Sequence, residues 1–273
     1  MSTTSEVSVC PNAAALTRLA AAKTVAVMAD AVAARGVCRL ALSGGSTPRA
    51  LYQELAAWNQ ETQRPLLETL GGGPRVTVPW SCVHVFLGDE RFVPPDHEES
   101  NARMIRDTLL EGTGIPEENV HPVPTVDVEP DEAARQYEQT LARAFGIPAA
   151  GASGAAGEWP RFDLMLLGMG ADGHTASLFP GEPTIDVADR WVLATHPASV
   201  GRWRISLTLP VINHARTILV LVTGGAKAPI IARVLGEQGG EPSLPIQRVQ
   251  PVDGKMSWML DEDAAGDRFQ MSD

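Results

Sequence analysis

Residues 37–58 read VCRLALSGGSTPRALYQELAAW: a short apolar run, a pair of glycines flanked by hydroxyls, then apolar residues at helical spacing. The same succession of apolar run and glycine recurs at CVHVFLG (82–88), FDLMLLG (162–168) and TILVLVTGG (217–225), the last followed by the helical stretch AKAPIIARVLG. Strands that are nearly continuous in apolar residues, interleaved with helical stretches, are buried on both faces, which predicts an α/β fold with a mostly parallel sheet flanked by helices. Ligands of such sheets sit at the carboxyl ends of the strands, and there the polar residues of this chain gather. Helices are expected over 13–34, with Gly36 as the stop, and near 100–110 and 131–145; GIPAAGASGAAGEWP (146–160) reads as a surface loop. The glycine-rich TLGGGPR (69–75) has segments of one sheet on either side of it, so residues 1–273 are read as a single domain.

Composition narrows the function classes. A chain of 273 residues with 44% hydrophobic content, 25 Gly and 21 Pro is rich enough in core-forming residues for a packed globule. Its net charge of −11 works against non-specific attraction to nucleic acid or anionic membranes, so an anionic ligand must be held locally. Lys23, Lys227 and Lys255 are the only lysines, and arginine carries most of the positive charge. Cys10, Cys38 and Cys82 show no C-x-x-C spacing, which suggests neither a disulfide framework nor a zinc site. The opening MSTTSEVSVCPNAAA has no basic stretch followed by an apolar core, so no signal peptide and no membrane span is expected, and a reducing cytoplasm fits.

Four constellations could carry chemistry. In Ser43-Gly44-Gly45-Ser46-Thr47-Pro48 the glycines let the backbone approach a ligand and the hydroxyls can donate at a helix N-terminus, a natural phosphate site. The alternatives are a simple capped turn, or a nucleophile elbow with Ser43 as the nucleophile, against which Pro48 argues by displacing the helix start. Gly88-Asp89-Glu90-Arg91 offers two carboxylates to position a sugar and a planar guanidinium to clamp a phosphate, against a plain solvated ion-pair loop. Gly168-Met169-Gly170-Ala171-Asp172-Gly173-His174 satisfies G-x-G-x-x-G. A dinucleotide site needs a long helix there, yet Phe179-Pro180-Gly181 cuts the segment short and WVLATHP ends without a ribose-binding carboxylate. What remains is His174 with Asp172 two residues before it, a pair suited to general base work. Last come Arg202, Arg204 and Lys227; Gly224-Gly225-Ala226-Lys227 lacks the spacing of a P-loop, which leaves Lys227 as a point charge for a phosphate. The other histidines, His84, His97, His121, His196 and His214, show no metal-ligand spacing, and no metal is expected.

With these residues assembled, the chain resembles the 6-phosphogluconolactonases, which open 6-phosphogluconolactone in the oxidative pentose phosphate route. The likeness lies in LALSGGSTPRALY (40–52), VFLGDERFVPPDHEESN (85–101), FDLMLLGMGADGHTASLFPG (162–181), RISLTLPVIN (204–213), LVLVTGGAKA (219–228) and SWMLDEDAA (257–265). It implies a Rossmann-like sheet shared with sugar-phosphate deaminases and isomerases, a phosphosugar lactone as substrate, no cofactor, and a catalytic histidine matching His174, with Asp172 orienting it. It also implies a substrate site built from Ser43, Gly44, Gly45, Ser46, Thr47, Asp89, Arg91, Asn101, Gly170, Arg204 and Lys227. The segment 59–79 matches the family poorly and is read as a variable loop. In the glucosamine-6-phosphate deaminase branch the matching stretch resembles D-G-H-I-A-F-N-E-P, whose Glu is replaced here by Phe179. Lactone hydrolysis needs an activated water and charge stabilisation, not that Glu. Three alternatives stay open at this point: a sugar-phosphate deaminase, a serine esterase using Ser43, and a sugar-phosphate sensor without turnover.

Overall fold

The computed structural model describes residues 6–58, 79–149, 158–236 and 243–266. The glycine-rich stretch 69–75, nearly all of 59–79 and the middle of the 146–160 loop lie outside them. Seven strands pair in parallel in the spatial order β1 (Glu6–Cys10), β10 (Lys255–Asp261), β9 (Thr217–Val222), β6 (Leu164–Leu167), β2 (Cys38–Leu42), β3 (Val83–Leu87) and β5 (Val120–His121). The fold is thus the mostly parallel α/β sheet that the apolar strands predict. All four residues of β6 are buried, as are all but the first of β9, which is what central strands covered on both faces require.

The chain fills this sheet from the middle. It runs outward through β2, β3 and β5, returns to β6 on the other flank of β2, and continues outward through β9 and β10. Connections leaving β2 and β6 therefore depart in opposite directions and open a crevice at their carboxyl ends. Helix α1 (Ala13–Arg35) carries the chain from the far edge strand β1 back to central β2. At 1.5 Å per residue its length is about 34 Å, enough to cross several strands. Its buried side, which includes Ala20, Ala21, Ala31, Leu16, Val25 and Met28, is rich in small residues that let it lie close to the sheet. Asn12 Oδ1 accepts the Ala15 N–H at 2.9 Å to start it, and Gly36 at φ 73° ends it. Helices α2 (Ser46–Ala56), α3 (Asn101–Thr108) and α4 (Pro130–Phe145) follow β2, a charged loop and β5 in turn.

Two features go beyond the expectation of four strands. β1 and β5 are the edge strands and β10 lies inside β1; exposure breaks the apolar run in β1, which is half-exposed, and at the start of β10, which opens with Lys255. A separate antiparallel sheet forms from β4 (Asp89–Arg91), β8 (Arg204–Leu207) and β7 (Val192–Thr195), in that order. Its strand β4 is wholly charged, so hydrophobic periodicity could not announce it. It places Arg91 directly opposite Arg204.

At the β3–β5 edge, His84 Nδ1 and His121 Nε2 share a hydrogen bond of 3.1 Å, and the His121 ring stacks on Phe86 at 4.3 Å between centroids. Burial, with the charge of Arg39, lowers the pKa of His84; burial and the neighbouring His84 hold His121 down to about 4. Histidines kept neutral bind fewer protons in the folded than in the unfolded chain. Their contribution to stability is therefore complete above the ordinary histidine value of about 6.5 and is lost as pH falls toward the lowered values. His121, with partial solvent contact, is expected to cost the fold about 1–2 kcal/mol on acidification from pH 7.5 to 4.5. Urea unfolding of the wild type and His121→Phe at both pH values checks this: the variant should lose less stability on acidification, and equal losses would remove the pair from the acid response.

Candidate active site

The loops that leave β2, β3, β6 and β9 converge on one cavity of about 300 Å³. Ser43 through Pro48 come from the end of β2, Asp89 and Arg91 from just past β3, Gly168 through Gly170 and His174 from the end of β6, and Thr223 and Lys227 from just past β9. Arg204 enters from β8 and Asn101 from the first position of α3. Every residue expected to bind substrate, namely Ser43, Gly44, Gly45, Ser46, Thr47, Asp89, Arg91, Asn101, Gly170, Arg204 and Lys227, lines this space together with His174. Asp172 stands behind the histidine, outside the lining.

The first loop shows why glycine is needed. Helix α2 starts at Ser46, with Gly45 as its N-cap at φ 111° and no side chain capping it, so the capped-turn alternative does not describe it. Pro48 is the third helical residue and does not displace the start. A Cβ on Gly44 would collide with the side-chain amide of Asn101, so only glycine lets α3 close over the loop. Ser43 Oγ is buried and has no hydrogen-bond partner in the described structure, and no histidine activates it as a nucleophile elbow would require. Thr47 Oγ1 shares a 2.6 Å hydrogen bond with Thr223 Oγ1, which joins the β2 and β9 loops.

The three residues Asp89, Glu90 and Arg91 divide their work, against the expectation that both carboxylates face a sugar. Glu90 is buried and accepts the backbone N–H groups of Arg91, Asn101 and Ala102 and the hydroxyl of Ser100, so it caps α3. Burial raises its pKa, although those three N–H groups oppose the shift. Asp89 accepts the hydroxyl of Ser177 at 2.6 Å, and its carbonyl accepts Asn101 Nδ2 at 2.9 Å. Arg91 spends one amino group on the carbonyl of Glu99, while its Nε is buried and has no partner among the described residues. Arg204 Nε is in the same condition. Burial is the main influence lowering the pKa of Arg204; Asp89 opposes it and Arg91 adds to it. Lys227 donates to the Met169 carbonyl at 2.9 Å, and Arg202 pairs with Glu99 outside the cavity.

His174 Nδ1 lies 2.6 Å from Asp172 Oδ1, and the same oxygen receives the His174 backbone N–H at 3.1 Å. Partial burial acts to raise the Asp172 pKa, but those hydrogen bonds and the imidazole outweigh it and hold the carboxyl below its ordinary range. An ionised Asp172 accepts from Nδ1–H and so selects the tautomer whose other nitrogen is a free base. A Cβ on Gly170 would land on the imidazole, which explains glycine at this point of the loop. The remaining histidines are engaged elsewhere: His97 beside Glu99, His196 on Trp203, His214 with the Pro210 carbonyl. Among the described residues no group of His, Cys, Asp and Glu is arranged to hold a metal ion, and no helix is long and apolar enough to cross a membrane.

Sequence reasoning missed Thr223, Ser177 and the capping role of Glu90. The Thr-Gly-Gly that follows β9 is the one signal that pointed near Thr223.

Residues 11–258 match the family described as glucosamine-6-phosphate isomerases/6-phosphogluconolactonase. A 6-phosphogluconolactonase of Synechocystis sp. is 40% identical over 234 residues, covering 86% of each chain. One from Mycobacterium tuberculosis is 37% identical over 269 residues, covering 96% of this chain and 97% of its own. The solved 6-phosphogluconolactonase from Trypanosoma cruzi superposes with a TM-score of 0.81 at 29% identity, over 99% of both chains. This chain belongs to the glucosamine-6-phosphate isomerase/6-phosphogluconolactonase family.

Proposed function

We propose that this protein hydrolyses 6-phospho-D-glucono-1,5-lactone to 6-phosphogluconate, the lactone-opening step of the oxidative pentose phosphate route. One observation carries the reading beyond family likeness. Ser43 Oγ, Arg91 Nε and Arg204 Nε are buried polar atoms without partners among the described residues, and all three residues line the cavity that also holds a histidine tied to a carboxylate. Unpaired buried donors are costly, and an anionic, hydroxylated ligand would satisfy them.

His174 takes a proton from water as the water oxygen bonds to the lactone carbonyl carbon. The tetrahedral intermediate then breaks its bond to the ring oxygen, and the imidazolium returns the proton to that oxygen, leaving a hydroxyl and a carboxylic acid. Asp172 holds the imidazole and stabilises its charged form between the two steps. Arg91, Arg204 and Lys227, with the 43–47 turn, hold the phosphate and convert binding far from the carbonyl into orientation at it.

Replacing His174 with Ala is expected to lower kcat by about 10²–10⁴-fold with KM little changed. Gly170→Ala should show a similar loss in a protein of unchanged melting temperature, because the new methyl displaces the imidazole and not the fold. A loss below about tenfold in His174→Ala would remove the histidine from the base role. Phosphate recognition is checked by comparing the phosphorylated with the unphosphorylated lactone. The wild type should strongly prefer the former, and Arg91→Lys, which keeps the charge but loses the guanidinium fork, should narrow the preference; equal efficiency on both lactones contradicts the assignment. The wild type should also release no ammonia from glucosamine 6-phosphate, and ammonia without lactonase activity would place the protein in the deaminase branch.

A further inference from the structure

His174 and Phe179 are five residues apart, a spacing that brings side chains together only if the chain reverses between them. It does. Thr175 and Leu178 bond to each other in both directions, Leu178 N–H to the Thr175 carbonyl at 3.0 Å and Thr175 N–H to the Leu178 carbonyl at 3.4 Å. The two-residue turn between them takes Ala176 to φ 48°, a left-handed conformation unusual for a side chain with a Cβ. The next pair outward from such a hydrogen-bonded pair is the closely spaced, non-hydrogen-bonded kind, and that pair is His174 with Phe179. Their rings stack with centroids 4.3 Å apart and planes 26° from parallel.

The turn is anchored to the rest of the site. Ser177 is fully buried; it donates through Oγ to Asp89 at 2.6 Å, and its N–H donates to Ser206 Oγ of β8 at 3.2 Å. Phe179 itself is 3% exposed. The guanidinium carbon of Arg204 lies 5.7 Å from its ring centroid, so the phenyl ring touches both the imidazole and the cation of the proposed phosphate clamp. One hydrogen bond from Nδ1 to Asp172 leaves the imidazole free to tilt about that bond. A flat ring packed against its face removes that freedom.

We infer that Phe179 is a positioning residue for the hydrolysis: it fixes the plane of His174 through stacking and keeps the Arg204 guanidinium in place. This rests on the functional reading above. A branched aliphatic side chain would fill the space without defining a plane, and a carboxylate would draw Arg204 toward itself and away from a phosphate.

The test uses the full chain with Phe179→Leu, Phe179→Met and Phe179→Tyr, and two readouts. In steady-state kinetics the Leu and Met variants should lose about tenfold or more in kcat with a smaller rise in KM as the Arg204 side of the phosphate clamp loosens, and Tyr should restore most of both. In a two-bond ¹H–¹⁵N spectrum of the labelled protein, with His174→Asn identifying the resonance, the His174 ring protons should carry the upfield displacement of a stacked aromatic. That displacement should vanish in the Leu and Met variants and persist in Tyr. Wild-type kcat in Leu and Met, equal loss in all three variants, or ring-proton positions indifferent to residue 179 would each overturn the inference. The spectrum needs no turnover, so a wild type that fails to hydrolyse the lactone while showing the expected shifts would refute the functional reading and leave the stacking intact.

Discussion

Two tyrosine hydroxyls hold open the place where this site is built. A parallel sheet is continuous only while neighbouring strands bond to each other, and loops can diverge at its carboxyl edge only if the backbone groups released there find other partners. At the end of β2, Tyr52 from α2 accepts the Ser43 N–H at 3.0 Å and donates to the Ser43 carbonyl at 2.8 Å. At the end of the adjacent β3, Tyr137 from α4 does the same for Leu87, at 2.8 and 3.0 Å. The chain contains only these two tyrosines, and both serve this purpose. Each hydroxyl is fully buried, with its pKa driven upward by that burial, so it remains a neutral donor and acceptor. With Ser43 and Leu87 satisfied by helices packed on the sheet, the segments beyond them can turn toward a ligand without leaving buried polar groups unpaired.

A protein of net charge −11 holds a cavity lined by Arg91, Arg204 and Lys227 because the charge balance is struck locally. The Debye length is about 8 Å at physiological ionic strength, so exposed carboxylates elsewhere are largely screened from the cavity. The acidic groups that remain close are occupied. Glu90 faces the N-terminus of α3, Asp89 faces Ser177, and Glu99 faces Arg202 and His97 at the rim. Keeping Glu90 on the helix end also fixes Asn101, whose amide closes over Gly44. One buried carboxylate thereby sets the distance between the phosphate-type turn and the arginines.

The sheet was legible because central parallel strands carry their burial in composition: β6 is wholly apolar, and β2, β3 and β9 are apolar but for one residue each, Arg39, His84 and Thr217, with glycine or a short polar turn after each strand. Strands at the margin carry no such mark. β1, at the edge, alternates because one side is partly exposed, and β10, one strand in from it, mixes Lys255 and Ser257 into its less buried first half. β4 is held by pairing with β8 and by the helix cap, not by hydrophobic burial, and local sequence holds no trace of either. Within the site, residues beside glycine at strand ends could be found from the chain alone. Ser177 and the two tyrosines could not, because their roles are made by contacts 88, 9 and 50 residues away, and the place of Thr223 was signalled by Gly224 but its bond to Thr47, 176 residues away, was not. For the same reason Glu90 was assigned with Asp89 to a sugar: neighbours in sequence, they point to opposite partners, as alternate residues of a strand must.

The turn at Ala176 shows how a single position can decide chemistry on a shared scaffold. Once Thr175 and Leu178 pair, the residue at 179 has to meet the imidazole whatever its side chain, since the backbone leaves no other direction. A carboxylate placed there would give the histidine a second acidic partner and a route for a second proton, which suits a reaction that moves protons between carbon and oxygen. A phenyl ring offers neither. It leaves the histidine one acidic partner, Asp172, and one free nitrogen, the minimum that the proposed transfer of one proton from water to a leaving oxygen requires. Difference in reaction can therefore arise with the strand-end loops, the arginines and the glycines all retained, because the turn delivers position 179 to the imidazole before the identity of its side chain matters.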